Sequence, residues 1–326
     1  ADHARRVELM RAAAQSAGAT AHDGTACESD NGGLIVPTGF CAVTVASNLG
    51  PVRQLVVAPN GDLYGAVSGV SRDGTGGVVA FRDTTGDGRP DVRASFGPFG
   101  GNDVKLHDGY LYFALNDRIV RWKLTPGRLE PEHPEEVVVS DLPVGGDHVA
   151  KSMAFIGDTM FVNFGSSSNS CQEVDRKPAS KGQDPCPELA VRAGIWSFSA
   201  SRLGQTVRDG HRYATGLRNA MALGVEPRTN RLFAGVHGMD QLSQSWGFSN
   251  EVNANNPAEI FVQPQDGQDY GWPYCYFSNQ YNRMVTAPEY GGDGSSAERC
   301  ARVSRPVMAF PGHWAPMAIA FYRGTQ

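Results

Sequence analysis

Apolar and polar positions alternate along this chain in short bursts. Each burst breaks at a turn and resumes in a second run that ends in aromatic residues. The phrase appears as RQLVVAPNGDLYGAV (53–67), NDVKLHDGYLYFAL (102–115), AKSMAFIGDTMFVNF (150–164), NAMALGVEPRTNRLFAGV (219–236) and PMAIAFYRG (316–324). Short apolar runs bounded by turn residues predict strands, and two such runs predict a hairpin. Asn60-Gly61, Asp108-Gly109 and Gly157-Asp158 separate the runs, and such pairs supply the positive φ of tight hairpin turns. Leu55, Val104, Met153, Ala222 and Ala318 mark the phrase at intervals of 49, 49, 69 and 96 residues. A hairpin repeat of this length predicts an all-β fold, a β-propeller, because one blade cannot bury both faces without neighbours. An irregular β-sandwich is the alternative. Residues 4–17 (ARRVELMRAAAQSA) read as a short helix, and 1–36 as helix and lead-in before a propeller domain over 37–326. The fifth phrase runs close to Gln326, so the last blade is expected to be incomplete.

Composition narrows the classes. The 326 residues include 39 glycines, a high share that suits many turns. No run approaches the roughly 18 apolar residues of a membrane helix, so no membrane span is expected. A net charge of −5 argues against nucleic acid as partner. The six cysteines fall into sequential pairs, 27–41, 171–186 and 275–300. They lack the tight CxxC spacing of zinc sites and read as three local disulfides, with buried free thiols as the alternative. Disulfides imply a periplasmic or secreted protein.

Six stretches can carry chemistry. Gly145-Gly146-Asp147-His148 precedes the third phrase; His148 can take a proton, and Asp147 can tune it. Gly216-Leu217-Arg218-Asn219 occupies the same position before the fourth phrase, where Arg218 offers a fork of donors. The exposed carbonyls of the loop around His237, Gly238 and Met239 can hold a hard cation. Trp272, in DYGWPYCY (269–276), can stack on a flat ligand. Asp83, Thr85, Asp87 and Asp91, with Gly88 between them, fit the first part of a calcium loop, but Ala94 stands where the bidentate Glu belongs. His313 precedes the fifth phrase, to line a channel or cap a blade. The plain alternatives are a hydrogen-bonding His148, an Arg218 paired with an acidic neighbour, a Trp272 that plugs the packing, an ordinary loop around 238–239 and a polar turn at 83–91; the pre-strand placement of His148 and Arg218 favours chemistry.

Together the stretches PTGFCAVTVASNLGPVRQLVVAPNGDLY (37–64), GDHVAKSMAF (146–155), YATGLRNAMAL (213–223), HGMDQL (237–242), DYGWPYCY (269–276), APEYGGDG (287–294) and FPGHWAP (310–316) resemble the soluble PQQ-dependent sugar dehydrogenases, close to sorbosone dehydrogenases. The resemblance covers about residues 35–326 and implies a six-bladed propeller holding pyrroloquinoline quinone (PQQ) and calcium over its channel. It implies His148 as general base with Asp147 before it. Arg218 and Asn219 would contact the quinone, Gly238 and Met239 would bind calcium through backbone oxygens, and Trp272 would stand on the substrate side. The family's basic clamp on the PQQ carboxylates would fall beyond Gln326. The expected activity is oxidation of a sugar or sugar aldehyde, with electrons passing to an external acceptor such as a cytochrome c or a quinone. A non-catalytic propeller binding carbohydrate or protein is the alternative. A propeller lactonase would need acidic and amide side chains converging on one metal. The stretch 165–193 reads as an insertion.

Overall fold

A computed structural model describes residues 27–69 and 77–322. The helix expected over 4–17 lies outside them.

The first four hairpin phrases each open a sheet. The first holds β1 (Val52–Val57), β2 (Leu63–Val67), β3 (Val78–Arg82) and β4 (Val92–Phe96), antiparallel in chain order. The second holds β5 (Gly101–His107), β6 (Tyr110–Leu115), β7 (Ile119–Lys123) and β8 (Glu136–Ser140). The third follows as β9 (Met153–Ile156), β10 (Thr159–Phe164) and β11 (Gly194–Ser199). The short β12 (Gln205–Thr206) then pairs in parallel with β8, and β13 (His211–Thr215) completes the third sheet beside β11. The fourth begins with β14 (Ala222–Glu226), β15 (Arg231–Val236) and β16 (Glu259–Val262). Two short helices, α1 (Leu242–Trp246) and α2 (Asn250–Asn255), fill the β15–β16 connection. Next, β17 (Gln268–Asp269) joins β13 in parallel, and β18 (Cys275–Ser278) with β19 (Arg283–Thr286) forms a separate hairpin. Finally β20 (Met308–Phe310) returns to β16.

The run YLYFAL in β6 shows why the sheets stack. Successive side chains point to opposite faces. Leu111, Phe113 and Leu115 pack toward Tyr64, Ala66 and Val78 of the first sheet. Tyr112 and Ala114 pack toward Met153, Met160 and Val162 of the third. Both faces are covered, so the run is apolar throughout rather than alternating. The third sheet repeats this, with Phe161 and Ile195 against Leu223, Leu232 and Ala234 of the fourth. The hairpin turn feeding β6 uses Asp108 and Gly109 at φ 47° and 77°, as its sequence predicts. The opening strands lie side by side, β1 by β5, β5 by β9 and β9 by β14. The architecture is propeller-like and all-β apart from a few short helical turns.

Two expectations are corrected. The described residues form four blades and one hairpin, not six blades. After β16 the chain spends its length on the β18–β19 hairpin and 3-10 turns before β20. The fifth phrase forms no strand over 316–322, although Gln54 Nε2 on β1 donates to Met317 O. The second concerns Asp83, Thr85, Asp87 and Asp91, where no three acidic side chains are arranged to hold a metal. The Asp83 carboxylate accepts the backbone N–H groups of Thr85, Gly86 and Gly88. Asp91 accepts from Thr84, and Asp87 from the Arg89 N–H. The loop spends its carboxylates on its own amides, and calcium is not assigned there.

All three disulfides form between sequential partners, Cys27–Cys41, Cys171–Cys186 and Cys275–Cys300. No helix among the described residues is long and apolar enough to cross a membrane.

Candidate functional site

The loops before β9 and β14 meet, and the 165–193 insertion lies between them. Two left-handed glycines, Gly145 and Gly146 at φ 80° and 79°, turn the chain into Asp147 and His148. A side chain at Gly146 would collide with Ser167. The buried Lys151 holds the same turn from below, its Nζ donating to Pro143 O and Val149 O.

The His148 ring is fixed by its partners. Nδ1 lies 3.0 Å from both the carbonyl oxygen and the hydroxyl of Ser166. That hydroxyl spends its own proton on Ser168 O, 2.7 Å away. Both groups facing Nδ1 therefore accept, so Nδ1 carries the proton and Nε2 the free lone pair. Burial, followed by the nearby Arg218 charge, pushes the imidazole down to about 4. A side chain on Gly165 would strike the His148 Cβ, which makes glycine the residue that fits behind the ring.

Arg218 is buried at the same place. Nε donates to Asn169 O at 3.0 Å, and Nη2 to Asn169 Oδ1 and Asp240 Oδ2 at 3.0 and 3.2 Å. Burial opposes its charge, and the Asp240 carboxylate offsets this. Its Nη1 has no acceptor among the described residues. Its backbone oxygen accepts Ser166 N–H at 2.7 Å, so one serine ties the arginine loop to the histidine. Asn219 is buried beside it, accepting from Asn163 Nδ2 and lying 3.4 Å from His237 Nδ1. His237 Nε2 donates to Pro316 O, which leaves Nδ1 to accept from Asn219. Burial keeps His237 below its ordinary value.

After β15 the chain passes through Gly238 and Met239. The Gly238 N–H and the His313 N–H both donate to Glu259, tying two loops together at 3.0 Å each. Burial raises the Glu259 carboxyl above the ordinary range. The carbonyl oxygens of Gly238 and Met239 accept no hydrogen bond among the described residues. His313 sits at the mouth, Nδ1 3.6 Å from Asp240 Oδ1 and Nε2 2.9 Å from Asn253 O.

One expected role changes. Trp272 is buried, its indole N–H donating to Asn169 O at 2.9 Å, among Met239, Leu242 and Tyr276. It is a wall of the site and offers no open stacking face. Asp147 does not hydrogen-bond the imidazole; it pairs with Arg176 at 2.8 Å, while its backbone N–H donates to Ser167 O. Ser166, Asn169, Arg176 and Glu259 escaped the sequence reading. The one signal was a polar run, SSSNS (166–170), placed directly after a buried strand. No group of three His, Cys, Asp or Glu side chains is arranged to hold a metal among the described residues.

A propeller-like frame thus brings an oriented histidine, a buried arginine and two free carbonyls together as one candidate site. The sequence model of a family described as TrAA12-like matches residues 34–326, and the chain belongs to that family. No curated protein matches. The fold is similar to a calcium structure of a Trichoderma reesei enzyme of Carbohydrate-Active Enzymes Family AA12 (TM-score 0.67, 16% identity, 84% of this chain and 71% of that one). It is also similar to the holo pyranose dehydrogenase PQQ domain from Coprinopsis cinerea (TM-score 0.67, 18% identity, 86% and 70%). A third is the apo soluble aldose sugar dehydrogenase from Escherichia coli (TM-score 0.53, 16% identity, 82% and 74%).

Proposed function

We propose that this chain is a PQQ- and calcium-dependent dehydrogenase that oxidises a sugar or sugar aldehyde, with His148 as general base. The observation that carries this reading is the His148 ring, whose protonated Nδ1 is locked on Ser166 while Nε2 stays free. A base with a low proton affinity in a buried site remains uncharged across the neutral range and is ready to accept a hydroxyl proton.

The donor set suits the cofactor. Arg218 Nη1 can offer two N–H groups to a ligand oxygen, and its charge favours negative charge there. Asn219 is held next to it. The unpaired carbonyls of Gly238 and Met239 suit calcium, a hard cation that takes oxygen ligands. PQQ, when bound, supplies a quinone that accepts hydride from the substrate carbon. His148 Nε2 takes the hydroxyl proton, and Ser166 keeps the ring aligned as the imidazolium forms. His313 stands at the mouth of the site and is proposed to border the cofactor. The three disulfides favour export to the periplasm or beyond, where an external acceptor such as a cytochrome c or a quinone would collect the electrons.

Reconstitution tests the reading. PQQ and calcium are added to metal-free protein, and dye reduction is followed with a panel of aldoses and aldehydes. Turnover needing both additions, and falling at least 100-fold in His148→Ala, is expected; about 10²–10⁴-fold is the usual contribution of a positioned base. Tight PQQ binding without turnover on any substrate would instead favour a non-catalytic propeller.

A further inference from the structure

Arg176 belongs to the 165–193 insertion and to no part of the proposed chemistry, yet it reaches both sides of the site. Its Nε and Nη2 donate to Asp147 Oδ2 at 3.0 and 2.8 Å. Its Nη1 and Nη2 reach Asp240 Oδ2 at 3.4 Å each. Asp147 directly precedes His148, and Asp240 is the carboxylate that Arg218 holds. The arginine therefore bridges the loop of the base to the loop of the guanidinium.

The bridge is built rather than incidental. Residue 176 stands in the left-handed region at φ 56°, unfavourable for an arginine. The buried Gln172 side chain fixes it there, Oε1 accepting Arg176 N–H while Nε2 donates to Ser180 O. The surrounding ring is closed by Cys171–Cys186 and crossed by a bridge from Gln172 to Gly182. A surface arginine merely seeking solvent needs none of this.

We propose that Arg176 is a positioning residue: its clamp on Asp147 and Asp240 holds the His148 turn against the Arg218 loop and offsets part of the Asp147 charge that the imidazole feels. The charged and titratable groups facing His148 are Asp147 on its own loop, Arg218 before β14 and His237 after β15. Of these, only Asp147 favours the imidazolium, and Arg176 is the group that partly offsets it. Without Arg176, an uncompensated carboxylate would sit beside the base and raise its proton affinity.

The inference rests on His148 as the base, but its test does not need turnover. The full chain, labelled with ¹³C at the histidine ring, is titrated by NMR, with His148→Asn assigning the resonance. Arg176→Gln is expected to raise the His148 midpoint by about one unit, a tenfold change in proton affinity. Asp147→Asn combined with Arg176→Gln is expected to abolish that rise, and Arg176→Lys to recover part of it by restoring charge without the fork. An unshifted midpoint in a folded Arg176→Gln protein overturns the clamp. So does a shift that survives in the double variant. Should Arg176→Gln alone not fold, comparing Arg176→Lys with its Asp147→Asn partner reads the same coupling. A shifted midpoint in a protein that never reduces dye with PQQ would sink the dehydrogenase reading and leave the clamp standing.

Discussion

Ser166 does more for the site than its size suggests. One residue fixes the tautomer of His148 and, through its backbone N–H, ties the ring to the Arg218 loop. The low proton affinity of His148, about 4, sets two pH effects. As a base it works in its neutral form, so kcat/KM should hold its plateau down to near pH 4 and fall below it. A pH–rate profile of the reconstituted enzyme checks this, and an acid limb near 6.5 would mean that the ring is not held as described. Stability follows the same shift. An unfolded histidine takes a proton near 6.5, whereas the folded one refuses it until about 4. Between those values the unfolded chain binds more protons, so this contribution is whole above about 6.5 and is lost as pH falls toward 4. That His148, Arg218 and Asn219 come together was legible in the sequence because they stand before or at the start of hairpin phrases, where propeller loops gather. Their partners were not. Asn169 meets Arg218 across 49 residues and Asp240 across 71, contacts that no local pattern announces.

At the scale of elements, β6 must satisfy two interfaces at once. Phe113 is fully buried, and its ring fills the space left by Gly101 and Gly77, where a Cβ would overlap it. Phe113→Ala should cost about 3–5 kcal/mol, the usual range for emptying such a site. Denaturant unfolding measures the loss, and a cost below about 1 kcal/mol would show that the first two sheets do not pack as described. The hairpins themselves were readable because period-two patterning and Asp-Gly or Asn-Gly turns are local properties. The Asp83–Asp91 loop misled for the same reason. Its residue types suit a cation, but the spatial arrangement of its carboxylates, which no local pattern announces, offers no set of three for a metal. Trp272 misled in another way, since burial depends on the insertion that covers it.

The described residues form four stacked sheets and one hairpin, joined by packing between neighbours, with a covalently closed loop set against the site. The family resemblance implied six blades, whereas among the described residues the chain after β16 departs from the repeat and the regular period stops being a guide. Closing the 15-residue span between Cys171 and Cys186 should contribute about 3 kcal/mol on chain-entropy grounds. Replacing both cysteines by serine should lower stability by that order. It should also weaken PQQ binding at least tenfold, because Asn169 and Arg176 lie beside or within the ring; fluorescence titration with PQQ under stabilising conditions reads the second effect. Unchanged affinity would make the ring a scaffold only. Weakened affinity would give the insertion a further meaning. Where thiols stay reduced, the same polypeptide can stack its sheets yet lack the brace behind its arginine, so competence for chemistry would be conferred by the oxidising surroundings into which the chain is delivered.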